Sequence, residues 1–364
     1  MQTAPSQGGI VGAAAVPHAP QMLSLPPTEN REQVERVRKT MRQIGDSFRS
    51  AKPDLVIVIS NDHADQFVLR SVPPFILHCG NRAKGSDGHA GMWNLEGAAG
   101  YALIELLQDE GFDPAFTLDA DLATCFTIPM EFCGYPRDTP FLPLYVNAYV
   151  PPQPTPERCY LFGQALGRAI QRMGRRAVVI ASGALSHYPG TAAYADPGPD
   201  LQTDKRIFER CAEGNLRYML GLDAAELDRS GNIELRTWLM LAGAVGERRP
   251  DIMLFEPNWH HNYGVFGWTS LPPVRRNRLF YEATPSESVD LARALYALRA
   301  EPHACEQFVR DPAAYADGYR LTPEQRDALL ALDLERLRDD FLVHPFIVGG
   351  AIDRVGRLKA ARSA

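Results

Sequence analysis

The chain has 364 residues, of which 45% are hydrophobic and 23% are charged, so one large domain and a smaller one can form without disulfides or structural metals. Its formal net charge of −6 argues against nucleic acid or an anionic membrane as the main partner. No apolar run approaches the roughly 18 residues that cross a bilayer. Residues 1–9 lack the basic start and apolar stretch of a signal peptide, so we expect a cytoplasmic protein. The six cysteines are scattered without a CxxC pair, which predicts reduced, buried thiols.

Apolar runs and helical repeats alternate over the first three quarters of the chain. Val34, Val37, Met41, Ile44 and Phe48 recur every three or four residues, which predicts an amphipathic helix. Further helices are predicted at 96–109, 159–173, 201–220 and 233–245, the last with Asn232 as its N-cap. Strands are predicted at 10–16, 55–59, 141–149, 177–181 and 252–255, the final one being the last core strand. This alternation predicts an α/β fold with a mainly open sheet flanked by helices.

The pattern changes near residue 283, after which only helices are predicted. Thr322-Pro323-Glu324-Gln325 is a capping box with proline at the first helical position. We therefore expect a domain over residues 1–282 and a small all-α domain over residues 283–364.

Three histidines follow three predicted strands directly. His18, His63 and His187 come after the strands at 10–16, 55–59 and 177–181. In an open α/β sheet, the carboxyl ends of the strands line the crevice in which ligands bind. A single histidine in such a place would more simply cap its own loop, but three at equivalent places predict a shared site.

Glu234 lies between apolar neighbours at the start of the predicted helix 233–245. Alone, it would be a carboxylate that interacts with the helix dipole. Beside two neutral imidazoles, it would complete a set of two histidines and one carboxylate, which holds iron(II) and leaves positions open for substrate and oxygen.

Four ordered motifs carry a family resemblance. They are Pro17-His18-Ala19-Pro20, Asn61-Asp62-His63, the segment from Ser182 to His187, and Gly231-Asn232-Ile233-Glu234-Leu235 with Trp238. From about residue 8 to residue 280, the chain resembles the class III extradiol ring-cleavage dioxygenases. Its last part, with Asp311-Pro312 and Tyr319-Arg320, resembles the small alpha subunit of protocatechuate 4,5-dioxygenase, fused to the catalytic part as in gallate dioxygenases.

The resemblance implies a role for each of four residues. His18, His63 and Glu234 would bind iron(II), and His187 would be the acid/base, since an imidazole can take and return a proton near neutral pH. It also implies a homodimer or higher homo-oligomer that acts on a small aromatic substrate and O₂. The expected substrate is a carboxylated catechol such as a protocatechuate or gallate relative, as in aromatic catabolism.

One position departs from the family pattern. Thr124 stands in the segment from Asp121 to Pro129 where the family carries a histidine that lines the substrate pocket. A threonine hydroxyl can hydrogen-bond but does not titrate near pH 7. We therefore expect Thr124 to affect substrate choice. The residue leaves room for a dihydroxypyridine or an aminophenol as the substrate. A neighbour such as His260 or His261 could instead supply the lost contact.

Other candidates are less specific. His260 and Tyr263 follow the predicted last strand and are candidate substrate contacts. Thr269 and Ser270 fall where gallate-dioxygenase-like proteins contact the substrate anion across a dimer interface, or they form a simple turn before Pro272. The segment between His78 and His89 is predicted to be a surface loop.

Two other classes of function compete with the dioxygenase. A non-redox metal hydrolase could use the same ligands to activate water. A non-catalytic binding protein of the same fold is the other alternative, although the presence of His18, His63, His187 and Glu234 argues against it. A serine hydrolase is not supported, because the sequence has no GxSxG motif.

Overall fold

The computed structural model describes residues 8–86, 88–194, 196–271 and 284–363. The chain forms two compact units, Met1–Val274 and Arg275–Ala364. The predicted boundary near residue 283 lies outside the described residues.

The first unit is built on an eight-stranded sheet with the order β6-β3-β7-β2-β8-β1-β10-β9, and β4 and β5 form a separate hairpin. The strands are β1 (Gly9–Val16), β2 (Leu55–Asn61), β3 (Phe75–His78), β4 (Arg82–Gly85), β5 (Gly91–Asn94), β6 (Ala115–Thr117), β7 (Leu142–Val146), β8 (Arg176–Ser182), β9 (Ile252–Glu256) and β10 (Tyr263–Trp268).

Four central strands, β7, β2, β8 and β1, are parallel to one another. Their residues are almost all buried, as expected for strands covered on both faces. We call the edge of the sheet where these four strands end the carboxyl edge, and the edge where they begin the amino edge. Since β10 runs antiparallel to both β1 and β9, the loop between β9 and β10 also lies at the carboxyl edge.

Helices cover both faces of the sheet and bury one apolar cluster on each side. The helices of this unit are α1 (Gln21–Ser24), α2 (Arg31–Ser50), α3 (Gly97–Asp109), α4 (Thr124–Phe132), α5 (Pro156–Met173), α6 (Leu201–Ala212), α7 (Ala224–Ser230) and α8 (Leu235–Val245). The prediction of an α/β fold with an open sheet flanked by helices is confirmed.

Helices α5 and α8 approach closely because each places a glycine in the contact. A Cβ atom added at Gly163 would lie 1.9 Å from the carbonyl oxygen of Met240, and one added at Gly243 would lie 2.0 Å from that of Tyr160. Only glycine fits at such a distance. The pair therefore fixes where α8, and with it Glu234, sits against α5.

Several local predictions were wrong. The predicted helix 201–220 ends at Ala212, because Gly214 adopts a left-handed conformation with φ of +88°, and Leu216–Gly221 is a separate 3₁₀ turn. Helix α8 has Glu234 rather than Asn232 at its N-cap, because the Asn232 side chain donates to Asp204 instead. The strand β9 is not the last, since β10 inserts between it and β1.

The predicted surface loop between His78 and His89 contains β4, which pairs with β5 as a hairpin. Strands β3 and β6 and helix α4 were also not predicted from the sequence. Strands β3 and β6 are short, and residues 124–132 lack a clear amphipathic repeat.

In the second unit, residues 284–363 contain helices and turns and no strand, as predicted. The helices are α9 (Val289–Ala300), α10 (Pro302–Arg310), α11 (Pro312–Ala316), α12 (Pro323–Ala331) and α13 (Pro345–Ser363). They pack around their own apolar cluster. The capping box is confirmed: Gln325 N–H donates to Thr322 Oγ1, and the Gln325 side chain accepts from Thr322 N–H. Among the described helices, none has the length and apolar character to cross a membrane.

Candidate functional site

Three side chains that are far apart in the sequence meet at the carboxyl edge. The Nε2 atoms of His18 and His63 lie 3.3 Å apart. Glu234 Oε1 lies 3.4 Å from the His18 nitrogen and 3.2 Å from the His63 nitrogen. His18 follows β1, His63 follows β2, and Glu234 begins α8. Each of the three residues therefore turns one potential ligand atom toward a common point.

These separations fit one metal ion. Ligand atoms about 2.1 Å from an ion, at angles of about 90–110° to one another, are about 3.0–3.4 Å apart. Glu234 and His18 are buried, while a third of the His63 side chain is exposed. The set is therefore enclosed on the protein side and open on the side of His63.

Hydrogen bonds fix the ring of His18. Ser182 Oγ donates to the carbonyl oxygen of Cys125 at 2.6 Å, which uses its only proton. The Ser182 oxygen must then accept from His18 Nδ1–H, which lies 2.9 Å away. The Nε2 atom of neutral His18 is left with its lone pair toward His63 and Glu234, the form of histidine that binds metals.

Glu234 is anchored by neighbours on three elements. Its Oε2 accepts from the backbone N–H of Ala184 at 2.7 Å, and its Oε1 accepts from Asn61 Nδ2 at 3.2 Å. The Tyr149 hydroxyl donates to the same Oε1 at 2.8 Å. The carboxylate is therefore held by donors that do not require a metal to be in place.

The electrostatics favour positive charge at this point. Burial raises the pKa of Glu234, but the imidazoles of His18, His187 and His63 outweigh it and hold the pKa well below its ordinary value. Burial lowers the pKa of His18, which keeps the ring neutral. Burial also opposes the charged form of His63, yet Cys125 and Glu234 raise its pKa well above the ordinary value. A buried anionic oxygen beside imidazoles is a donor set suited to a divalent cation.

His187 stands beside this cluster without joining it. Its Nδ1–H donates to the carbonyl oxygen of Leu185 at 3.0 Å, and its Nε2 lies 3.0 Å from the Tyr149 hydroxyl oxygen. The same nitrogen is 3.7 Å from Glu234 Oε1. His187 therefore presents a ring nitrogen at the site while its other nitrogen is fixed by its own loop.

Asp204 connects the loops that carry these residues. This buried carboxylate accepts from the Ser186 hydroxyl at 2.6 Å, from Asn232 Nδ2 at 2.9 Å and from Asn262 Nδ2 at 2.7 Å. The three partners neighbour His187, Glu234 and His261 in sequence. Burial raises the pKa of Asp204, and the hydrogen bonds offset only part of that increase.

The family model described as "Catalytic LigB subunit of aromatic ring-opening dioxygenase" matches residues 12–269. The chain belongs to this family. The resemblance to class III extradiol dioxygenases that the four motifs predicted is thereby confirmed.

Two curated relatives of this LigB-family chain carry the same kind of name. A Burkholderia vietnamiensis protein named 2,3-dihydroxyphenylpropionate/2,3-dihydroxicinnamic acid 1,2-dioxygenase is 31% identical in an alignment 292 positions long, which covers 64% of this chain and 89% of the relative. A Pseudomonas putida protein of the same name, numbered 2, is 30% identical over 184 residues, 50% of this chain and 56% of the relative. The chain thus spans little more than half the length of the second relative.

Among solved structures, an uncharacterized protein from Escherichia coli K12 aligns with 71% of this chain at 15% identity and a TM-score of 0.49.

The LigB-family chain has Thr124 at the start of α4, close to the cluster. The next residue, Cys125, donates from Sγ to the carbonyl oxygen of Asn61 at 3.3 Å and accepts from Ser182 Oγ. The start of α4 therefore lies beside the residues that support His18 and Glu234. Whether Thr124 contacts the substrate stays a prediction.

His260 and Tyr263 lie at the carboxyl edge, but His261 is the one placed beside His187. The rings of His261 and His187 have centroids 5.5 Å apart, and Tyr263 lies 5.0 Å from His261. Both ring nitrogens of His260 are engaged, Nε2 with Glu29 Oε1 at 2.8 Å and Nδ1 with His261 Nδ1.

Thr269 and Ser270 lie at the amino edge of the sheet in this LigB-family chain. They follow Trp268, which pairs with Ala13 within β1, whereas His18 comes after the far end of β1. At about 3.3 Å per strand residue, the two sites are separated by roughly 20 Å. Within one chain, Thr269 and Ser270 therefore do not line the site of His18, and a substrate contact from them requires a second subunit.

The other two histidines considered are structural within the described chain. His78 Nε2 lies 2.9 Å from the carbonyl oxygen of Ala120, and its Nδ1 accepts from Gly80 N–H at 3.1 Å. His89 contacts Thr127 Oγ1 at 2.7 Å and Glu131 Oε2 at 2.5 Å. Neither residue belongs to the metal-type cluster.

Sequence reasoning missed Tyr149, Asp204 and Asn61 as parts of the site. Tyr149 follows β7, so the rule that selected the histidines would have found it had tyrosine been considered. Asn61 precedes His63 and was quoted only as part of a motif. Asp204 lies within an amphipathic helix, and nothing in its local sequence distinguishes it from a surface carboxylate.

Proposed function

We propose that this chain is an iron(II)-dependent extradiol dioxygenase that opens the ring of a catechol-type substrate with O₂. His18, His63 and Glu234 would hold the metal. The observation that carries the proposal is the set of three ligand-atom separations of 3.2–3.4 Å around one point at the carboxyl edge. Iron(II) held by two histidines and a carboxylate supplies open positions for the ring oxygens and for O₂.

His187 would be the acid/base of the reaction. Its Nδ1–H is committed to Leu185, so Nε2 of the neutral ring can accept a proton from a ring hydroxyl and return it later. The Tyr149 oxygen, 3.0 Å from Nε2, can accept a hydrogen bond from the protonated ring. Since the Tyr149 proton is directed at Glu234, the three groups form a continuous hydrogen-bonded series.

The substrate class is a catechol with a further polar substituent. The curated relatives are named for 2,3-dihydroxyphenylpropionate, which supports a carboxylated catechol. Protocatechuate and gallate relatives, dihydroxypyridines and aminophenols are also candidate substrates, because Thr124 stands where the family carries a titratable histidine. We expect the protein to act in the cytoplasm.

The test is anaerobic reconstitution with iron(II), removal of unbound metal, and oxygen uptake over a panel of these rings. We expect one iron per chain and stoichiometric consumption of oxygen and ring. A metal hydrolase remains the second candidate, because the same cluster could hold zinc and activate water. Activity with zinc and without oxygen uptake would favour it.

We propose a homodimer or higher homo-oligomer in which Thr269 and Ser270 contact the substrate of the neighbouring subunit. The roughly 20 Å that separates them from His18 in one chain leaves only this route to a contact. Sedimentation gives the oligomeric state. The Thr269→Ala/Ser270→Ala variant should raise KM for carboxylated rings and leave kcat unchanged. An unchanged KM in a confirmed oligomer would contradict the contact.

A further inference from the structure

Behind His261, a buried series of hydrogen bonds leads away from the candidate metal centre. Glu29 Oε1 lies 2.8 Å from His260 Nε2, and both side chains are fully buried. His260 Nδ1 contacts His261 Nδ1, and the His261 ring stands beside His187. The roles proposed for the metal ligands and for His187 do not involve Glu29 or this series.

The direction of each hydrogen bond follows from the one before it. A carboxylate can only accept, so His260 Nε2 must carry the proton that it donates to Glu29. Burial lowers the pKa of His260, with Glu29 opposing, so the ring is neutral and its Nδ1 can only accept. His261 Nδ1 must then be the donor in the contact between the two rings.

His261 is consequently fixed in one tautomer, with an unprotonated Nε2. Burial and the neighbouring His187 and His260 lower its pKa well below the ordinary value, so a second proton is not expected. Within the described residues, Nε2 has no hydrogen-bond partner, and it belongs to a buried ring next to the proposed acid/base. An unprotonated nitrogen that no described protein group engages is available to accept a hydrogen bond from a ligand.

We propose that His261 Nε2 is the acceptor that selects the substrate, favouring rings that place a neutral O–H or N–H donor there over rings that place a carboxylate there. This inference rests on the proposed function. It gives the part of the site beside His187 a definite polarity: an acceptor cannot pair with a carboxylate, and such a ring would leave both groups unpaired. Glu29 and His260 act only through His261 and are positioning residues.

The substitution Glu29→Gln should reverse the series. Asn258 Oδ1 accepts from the His260 backbone N–H at 3.2 Å, so its Nδ2 must face Glu29 Oε2 and Gln33 Oε1, at 3.1 and 3.2 Å. In Glu29→Gln, Asn258 Nδ2 would donate to the side-chain oxygen of the glutamine. The glutamine NH₂ group would then donate to His260 Nε2. His260 Nδ1 would then donate to His261 Nδ1, and His261 Nε2 would become a donor.

A matched control is Glu256→Gln. This carboxylate also interacts with Gln33, at 3.4 Å from its Nε2, but it pairs with Arg36 rather than with a histidine. Glu256→Gln therefore removes one carboxylate charge near Gln33, as Glu29→Gln does, while the series to His261 is untouched.

The first measurement is ¹⁵N NMR of the histidine side chains in the full-length chain without added iron, with His261→Gln used to assign the signals. We expect His261 Nε2 to be unprotonated in the wild type and in Glu256→Gln, and protonated in Glu29→Gln. A wild-type His261 with a proton on Nε2 overturns the inference, whether or not the chain is a dioxygenase.

The second measurement is binding, without oxygen, of two matched pairs of rings to the iron-loaded chain: pyrogallol with 2,3-dihydroxybenzoate, and 1,2,4-benzenetriol with protocatechuate. We expect the wild type to favour the hydroxyl member of at least one pair by about tenfold, and Glu29→Gln to lose about that factor. An unchanged preference, or no binding of any ring, overturns the proposal. Oxygen uptake is scored separately, so failure of the proposed reaction is recognised by itself.

Discussion

Carboxylates at the two edges of the sheet differ in their burial and in their charged partners. At the carboxyl edge, Glu234 is fully buried among imidazoles and its pKa is well below the ordinary value. At the amino edge, Arg175 pairs with Asp54 at 2.9 Å and with Glu96 at 3.3 Å, and all three side chains remain partly exposed. Burial makes the first set selective for a cation, whereas solvent screens the second.

Histidine shows the same difference between the edges. His78 ends β3, which runs antiparallel to β7, so it lies at the amino edge although it too follows a strand. Both of its nitrogens are bound to backbone groups. His18 has one nitrogen bound to Ser182 and one turned toward Glu234. A histidine is available for a metal or a proton only when its surroundings leave one nitrogen unused.

The largest expected effect is that of Glu234→Ala. Removal of the carboxylate leaves two imidazoles and no anionic ligand, so the chain should retain no iron after desalting and consume no oxygen. The control is His78→Gln at the amino edge, which should keep both. Iron content by mass spectrometry and oxygen uptake give the readouts, and a Glu234→Ala protein with full iron would refute the ligand assignment.

His187→Ala should separate proton transfer from metal binding. His187 lies beside the cluster rather than within it, so we expect full iron content and substrate binding with kcat reduced by about 10²–10⁴-fold. Single-turnover kinetics with the reconstituted protein measure this. Should iron be lost in parallel with the rate, His187 would have to be counted among the ligands.

Tyr149→Phe should have an intermediate effect. The change removes the donor to Glu234 Oε1 and the oxygen next to His187 Nε2, and hydrogen bonds to metal ligands typically contribute about 10–100-fold to metal affinity or activity. Iron titration and kcat are both measured. Tyr160→Phe, on α5, is a control that keeps the site; equal effects from the two variants would count against a role for Tyr149.

Thr124→His should change preference more than rate. A pocket imidazole offers a titratable donor that threonine lacks, so we expect turnover of the best native ring to fall and that of protocatechuate or gallate to rise, by about tenfold in their ratio. The ratio of kcat/KM values across the panel is the measurement. A substrate profile unaffected by the change would mean that Thr124 does not set specificity.

The smallest effect is expected for Arg175→Met at the amino edge. Its ion pairs are partly exposed, so their loss should cost less than about 1 kcal/mol of unfolding free energy and less still in high salt. Urea denaturation at two salt concentrations measures it, and oxygen uptake should be unchanged. A large loss of activity would show that the two edges are coupled.

The α/β fold could be predicted from the sequence because the central strands are continuous apolar runs. The site could be predicted because His18, His63 and His187 each follow one of these strands. The sequence did not reveal β10, since Tyr263-Gly264-Val265-Phe266-Gly267-Trp268 reads neither as an apolar run nor as a clean alternation. The break after α6 depended on one glycine whose left-handed conformation is not visible in the sequence pattern.

What the sequence could not provide are contacts between distant segments. Asp204 meets Ser186, Asn232 and Asn262 only after three loops have been brought together by the sheet. The pairing of Glu29 with His260 joins residues 231 positions apart. Such contacts have no local period or spacing, so residue type alone does not indicate them.

The Asp204 contacts bear on when the protein can acquire its metal during synthesis. His63 leaves the ribosome 171 residues before Glu234, and Asn262 emerges later still. Until β10 joins the sheet, the segment that holds Asp204 lacks one of its three partners, and the ligands are not yet held in place. Because an unfolded chain seldom offers a preformed metal site, the nascent protein is expected to bind a metal ion at this cluster only after its first unit is complete.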